Sequence, residues 1–140
     1  MRSLTKQGWR ATDAAMIMTF LSVALGGALG AAARFGVGLG LVRLSGPGFP
    51  IAILTVNIVG SFVMGLFFVL SFHKGLGGLN PFVMTGLLGG FTTFSAFSLE
   101  AFTLYERGQI VAAGTYVGLS VIGSIGALVI GVWIARSLWA

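Results

Sequence analysis

The chain has 140 residues, 56% hydrophobic and 8% charged, with mean hydropathy +1.02, a formal net charge of +5 and no cysteine. So few charges cannot cover a soluble core with polar surface, and continuous apolar runs exclude the alternating strands of a membrane barrel, so the composition specifies a helical integral membrane protein. The absence of cysteine excludes disulfides and thiolate metal sites, and the scattered basic residues do not form the patch a nucleic-acid partner needs.

Residues 1–13 read as a polar basic tail carrying Arg2, Lys6 and Arg10, with Thr12 and Asp13 suited to cap the helix that follows. The uncharged run 14–33 is too long for a signal-peptide core, so it is read as an uncleaved first span. Residues 14–140 then form a single four-helix transmembrane domain, with spans at about 14–42, 50–72, 81–105 and 109–135. At about 1.5 Å per residue Arg34 falls about 30 Å beyond Ala14, close to the far membrane surface. There it is either a snorkelling end-anchor or the mouth of an aqueous vestibule that concentrates anions.

Ser45, Gly46, Pro47 and Gly48 read as a turn before the second span. Asn57 is the strongly polar residue of that span, with Gly60 and Ser61 on its face, and an amide there serves either as interhelical glue or as pore lining. His73 and Lys74 open a loop, where ordinary solvation is expected rather than metal binding. Glu106, Arg107 and Gly108 make a tight link to the fourth span, which ends at Arg136.

The third span holds GGFTTFSAF, Gly89 to Phe97. Its paired glycines weaken the helix, and Thr92, Thr93 and Ser95 offer hydroxyls to backbone groups that a break would free. Irregular backbone at membrane depth survives only inside protein or along a cavity, so a break here predicts an ion or substrate site. Phe94 and Phe97 share one helix face beyond the break, with Glu100 three residues further. Most of the twelve phenylalanines must serve packing, but the electropositive ring edges of these two are placed to hold an anion. In the fourth span Tyr116, Ser120 and Ser124 recur every four residues. That stripe is either quiet, its hydroxyls spent on i−4 carbonyls, or a track of donors facing the phenylalanines. Glu100, an intramembrane carboxylate, is expected to be hydrogen-bonded, protonated or paired, with Tyr116 and Arg34 as candidate partners.

The pairs Gly26 with Gly30, Gly86 with Gly90 and Gly114 with Gly118 have the spacing that lets membrane helices approach closely. Four short spans enclose little space, so an oligomer is expected. Arg2, Lys6, Arg10, Lys74 and Arg136 lie on one side and Arg34, Arg43 and Arg107 on the other, a weak bias that permits insertion both ways and antiparallel dimers. No nucleophile with a base and no metal cage is present, so an enzyme is not expected.

GGALGAAAR at Gly26 to Arg34, NIVGSF at Asn57 to Phe62 and above all GGFTTFSAF together resemble the small bacterial fluoride channels (Fluc/CrcB) over essentially the whole chain after the tail. The resemblance implies an antiparallel, dual-topology homodimer in the bacterial inner (plasma) membrane, with two fluoride pores and a central structural sodium. It implies that the backbone carbonyls of Gly89 and Thr92 from each subunit hold that sodium. It further implies that Phe94 and Phe97 line the pore, that Asn57 is a donor at its mouth, that Ser120 and Ser124 form a hydroxyl track and that Arg34 lies near the vestibule. The expected activity is passive, fluoride-selective export that relieves toxicity. The main rival is a proton-coupled small multidrug exporter, which would need a carboxylate in the first span; a non-conducting assembly subunit would not need the break.

Overall fold

The computed structural model describes the backbone of residues 3–45 and 48–139, with side chains over 13–43 and 48–139. Met1, Arg2, Gly46, Pro47 and the side chains of Lys6 and Arg10, to which the sequence assigns a tail and a turn, lie outside the described residues. The order is α1 (Ser3–Ser45), α2 (Ile51–His73), a 3₁₀ turn (Gly77–Leu79), a π-helical segment (Pro81–Leu88), one turn α3 (Gly89–Phe91), α4 (Phe94–Glu106) and α5 (Ile110–Trp139). Among the described residues four stretches are long and apolar enough to cross a membrane: Asp13–Arg43, Ile51–His73, Gly77–Glu106 and Ile110–Trp139. The chain is a multi-pass membrane protein.

Several ends differ from the sequence reading. α1 is already helical from Ser3, so Thr12 and Asp13 lie within it rather than at its start. α5 continues to Trp139, past the expected end at 135, because no proline or glycine stops it there. Two chain reversals are set by glycine. Gly75 and Gly108 have φ of +65° and +74°, and the amides after them close on Ser71 O and Leu104 O at 2.9 and 3.0 Å. Each therefore ends its helix, α2 or α4, in a left-handed cap that satisfies terminal carbonyls.

The packing has two halves. α2 lies mainly against α5, and α1 lies mainly against the π-helical segment and α3. Both seams are backbone against backbone. A Cβ on Gly26 would meet Phe82 O, Leu87 N and Gly86 Cα, and one on Gly90 would meet Gly27 O at 2.6 Å and Gly27 Cα at 2.9 Å. Gly65 and Gly131 do the same for α2 and α5, where their Cβ positions abut Leu128 O and Phe62 O. The spacing argument therefore holds for Gly26 with Gly30 and for Gly86 with Gly90. Within this chain no other element comes within 4 Å of a Cβ placed at Gly114 or Gly118.

Candidate functional site

The third span is broken within GGFTTFSAF, directly before Phe94 as expected. Gly89 and Gly90 are themselves helical, and Gly90 is in close contact with Gly27 of α1. The break lies at Thr92 and Thr93, whose backbones are extended, with φ/ψ of −79°/156° and −153°/125°. An extended pair inside a span frees peptide groups that hydrocarbon cannot satisfy, so partners must come from other elements.

Asn57 of α2 supplies two of them. Its Oδ1 accepts from Thr93 N at 2.8 Å and its Nδ2 donates to Thr93 O at 3.0 Å, so one side-chain amide pairs with both backbone groups of one residue. Asn57 thus holds the break and also lines the cavity beside it. Thr93 Oγ1 accepts from Ala96 N at 3.2 Å and so caps α4, while Thr92 Oγ1 donates to Leu88 O at 2.9 Å. Gly60 makes the room: a Cβ there would run into Thr92 Cγ2 and lie 3.1 Å from Phe91 Cδ1.

Arg34 lies inside the long helical stretch Asp13–Arg43, about 14 Å before Arg43 along the helix. From there its Nη1 donates to Thr92 O at 3.4 Å. Arg34 also lines a cavity of about 590 Å³ together with Arg43, Phe35, Leu39 and Ile53.

The other side of the break opens on a cavity of about 300 Å³. Asn57, Ser61, Thr93, Phe94, Phe97, Ser120 and Ser124 are in its wall, joined by Thr92, Val121 and Ile125. Three helices meet here because the break turns α4 so that its first turn faces the middle of α5 and Asn57 of α2. Phe97 is 7% exposed and Phe94 77%, their ring centroids 5.3 Å apart and their planes tilted by 54°.

Hydroxyls commonly return to their own helix here, as Thr19, Ser22, Ser98 and Thr103 each donate to the carbonyl four residues back and Ser137 of α5 to the carbonyl three back. Ser120 and Ser124 make no such backbone bond, and the buried Ser120 Oγ lies close to the Tyr116 hydroxyl. Ser61 is the lining hydroxyl that the sequence reading did not single out for the site, although its place four residues after Asn57 was the available signal.

Ser95, Glu100 and Tyr116 stand outside this wall. Ser95 Oγ pairs with Thr93 Oγ1 at 3.2 Å on an exposed surface. Glu100 finds Tyr116 rather than Arg34: the tyrosine hydroxyl donates to Glu100 Oε2 at 2.6 Å. Tyr116 is fully buried beneath the cavity, with Phe97 5.5 Å away on one side and Phe49 5.6 Å away on another, ring centre to ring centre. Nothing local in the sequence marks Phe49 as its neighbour.

The carbonyls of Gly89 and Thr92 meet one test of a hard-cation site. In an unbroken helix they would accept from Thr93 N and Ala96 N, but the first of these goes to Asn57 Oδ1 and the second to Thr93 Oγ1. Both oxygens are freed by the break itself, and neutral carbonyl oxygens suit a hard cation. Thr92 O also receives the long contact from Arg34, and a carbonyl has lone pairs for two partners.

Comparison with known proteins agrees with this geometry. The family model described as "CrcB-like protein, Camphor Resistance (CrcB)" matches residues 21–132. A Ruegeria sp. (strain TM1040) protein named "Fluoride-specific ion channel FluC" is 59% identical over 124 residues, 88% of this chain and 98% of that one. Proteins with the same name from Roseobacter denitrificans and Cereibacter sphaeroides (strain ATCC 17029 / ATH 2.4.9) are 54% and 56% identical, covering 86% and 89% of this chain and 98% and 100% of their own. With a family match spanning most of its length and relatives this similar end to end, the chain belongs to the CrcB-like family.

Proposed function

We propose that this protein is a fluoride-selective ion channel, not an enzyme, that releases fluoride passively from the bacterial cell across the inner (plasma) membrane. The observation that carries the reading is the cavity beside the break, where Asn57, Ser61, Ser120 and Ser124 set amide and hydroxyl donors against Phe94 and Phe97. A small, strongly hydrated anion loses water on entering such a path. Several neutral donors and electropositive ring edges compensate that loss, and a narrow wall keeps larger halides out. Arg34 and Arg43, on the larger cavity, would raise the local anion concentration at a vestibule. The relatives' name supports the substrate.

One chain gives one such wall, and large apolar side chains such as Phe20, Phe72 and Trp133 remain exposed on it. We read the working unit as an antiparallel homodimer with two pores, consistent with the nearly balanced basic loops. Gly89 and Thr92 of each subunit would hold a sodium ion at the centre through their carbonyls. Bound there, the ion would supply positive charge that fixes four carbonyl oxygens freed by the break, a structural task. The exporter alternative has no support, since the only carboxylate in the first apolar window is Asp13, at its very start.

Phe97→Ile tests the ring-edge part directly. It keeps an apolar side chain and removes the ring, and fluoride efflux from liposomes is expected to fall at least about 100-fold, a barrier increase of about 2.7 kcal/mol. Unchanged efflux from folded Phe97→Ile protein would remove the rings from the mechanism.

A further inference from the structure

The pairing of Asn57 with Thr93 does more than brace the break. A primary amide has a donor end and an acceptor end of almost equal size, so an asparagine in a cavity wall can turn either toward the ligand. For an anion only one of them helps. The Thr93 peptide decides between them: its N–H lies 2.8 Å from Oδ1 and its C=O 3.0 Å from Nδ2. Reversing the amide would set N–H against N–H and oxygen against oxygen, losing two hydrogen bonds at once. Nδ2 has a second N–H, not used by Thr93 O, and Asn57 lines the cavity with Phe94, Phe97 and Ser120.

We propose that the Thr93 peptide is a positioning element for anion selection, locking the Asn57 amide so that the cavity meets its donor end. The inference rests on the channel reading above. Thr93 itself need not touch the anion; its backbone acts through Asn57. Two net hydrogen bonds correspond to an orientational bias of about ten- to a hundredfold. When one is removed, only part of the population presents the donor, and the apparent anion affinity falls in proportion to that fraction.

The test is an amide-to-ester substitution at Thr93, introduced by nonsense suppression into the full chain, which deletes the N–H and keeps the side chain. An ester at Ile134, away from the cavity, serves as control. Fluoride efflux from liposomes is measured against fluoride concentration and normalised to folded protein. The Thr93 ester is expected to raise the half-saturating fluoride concentration by up to about twofold, as the donor-presenting fraction falls toward one half, with little change in maximal rate, while the Ile134 ester matches the unmodified protein. A clamp that only held the fold would lower the amount of active protein and leave half-saturation unchanged, and that result would overturn the proposal. If the Thr93 ester does not fold, Asn57→Asp decides. Its carboxylate still accepts from Thr93 N but has no donor end, so folded Asn57→Asp protein is expected to lose fluoride conduction, and wild-type half-saturation in it would overturn the lock. Unmodified protein that conducts no fluoride would contradict the channel reading and the lock with it, whereas conducting protein with an indifferent Thr93 ester contradicts the lock alone.

Discussion

Asn57→Ala is expected to destabilise the fold by about 2–6 kcal/mol, because it strips partners from two half-buried backbone groups at about 1–3 kcal/mol each. The groups are Thr93 N–H and C=O, and in a membrane neither has water to turn to. A continuous α3–α4 helix is no refuge, since Thr93 O and Thr92 O have been turned toward Asn57 and Arg34, and Thr93 Oγ1 already occupies Ala96 N. The measurement is the midpoint of denaturant-induced unfolding in detergent, followed by circular dichroism. A midpoint equal to that of the unmodified protein would mean that the break is held by something other than this amide.

The second large effect lies on the opposite side of the same span. Gly30→Val is expected to cost at least about 3 kcal/mol and to abolish the packing of α1 on the π-helical segment. Any Cβ at Gly30 meets Leu87 O, Phe91 N at 2.7 Å and Gly90 C at 3.0 Å. All three are backbone atoms of a neighbouring segment, so no rotamer change relieves the contact; the two elements must separate. Gly36→Ala, two turns further along α1, meets nothing within 4 Å and is expected to change stability by less than about 1 kcal/mol. Equal effects at the two positions, measured by the same unfolding assay, would show that helix propensity rather than close approach sets the requirement for glycine.

These two sites show what was legible in the sequence. The four spans follow from apolar run length, which needs no tertiary knowledge. Gly26 with Gly30 and Gly86 with Gly90 were readable as contact positions, while Gly114 with Gly118 has the same spacing and no neighbour within this chain. Spacing states that a helix face is small, not what comes to it. The break was legible as lying within Gly89 to Phe97 and before Phe94, but not its cause. Gly89 and Gly90 look like weak points, but what ends the helix is the bond from Thr93 N to an asparagine 36 residues away, which no local pattern encodes. The π-helical turn of Pro81–Leu88 likewise has no residue signature of its own.

Length arithmetic gave Arg34 a depth but not a partner: its contact with Thr92 O comes from a residue 58 positions away. The polar stripe was legible as a stripe. Whether its hydroxyls were spent on their own helix depended on the cavity across from them, and the stripe divides there: Ser120 and Ser124 line the cavity while Tyr116 turns to Glu100. The two open candidates for Glu100 were both reasonable by charge, and the fold chose the tyrosine because the break claims the arginine.

The central claim is selective passage of fluoride past Phe94, Phe97 and the donors of α2 and α5. It is tested most directly by loading liposomes that contain the purified protein with fluoride or, in parallel, with chloride, and following anion release with ion-selective electrodes. The account predicts rapid fluoride release, at least about 100-fold faster than chloride, a difference of about 2.7 kcal/mol in barrier. Equal release of both anions, or no release from folded protein, would contradict it.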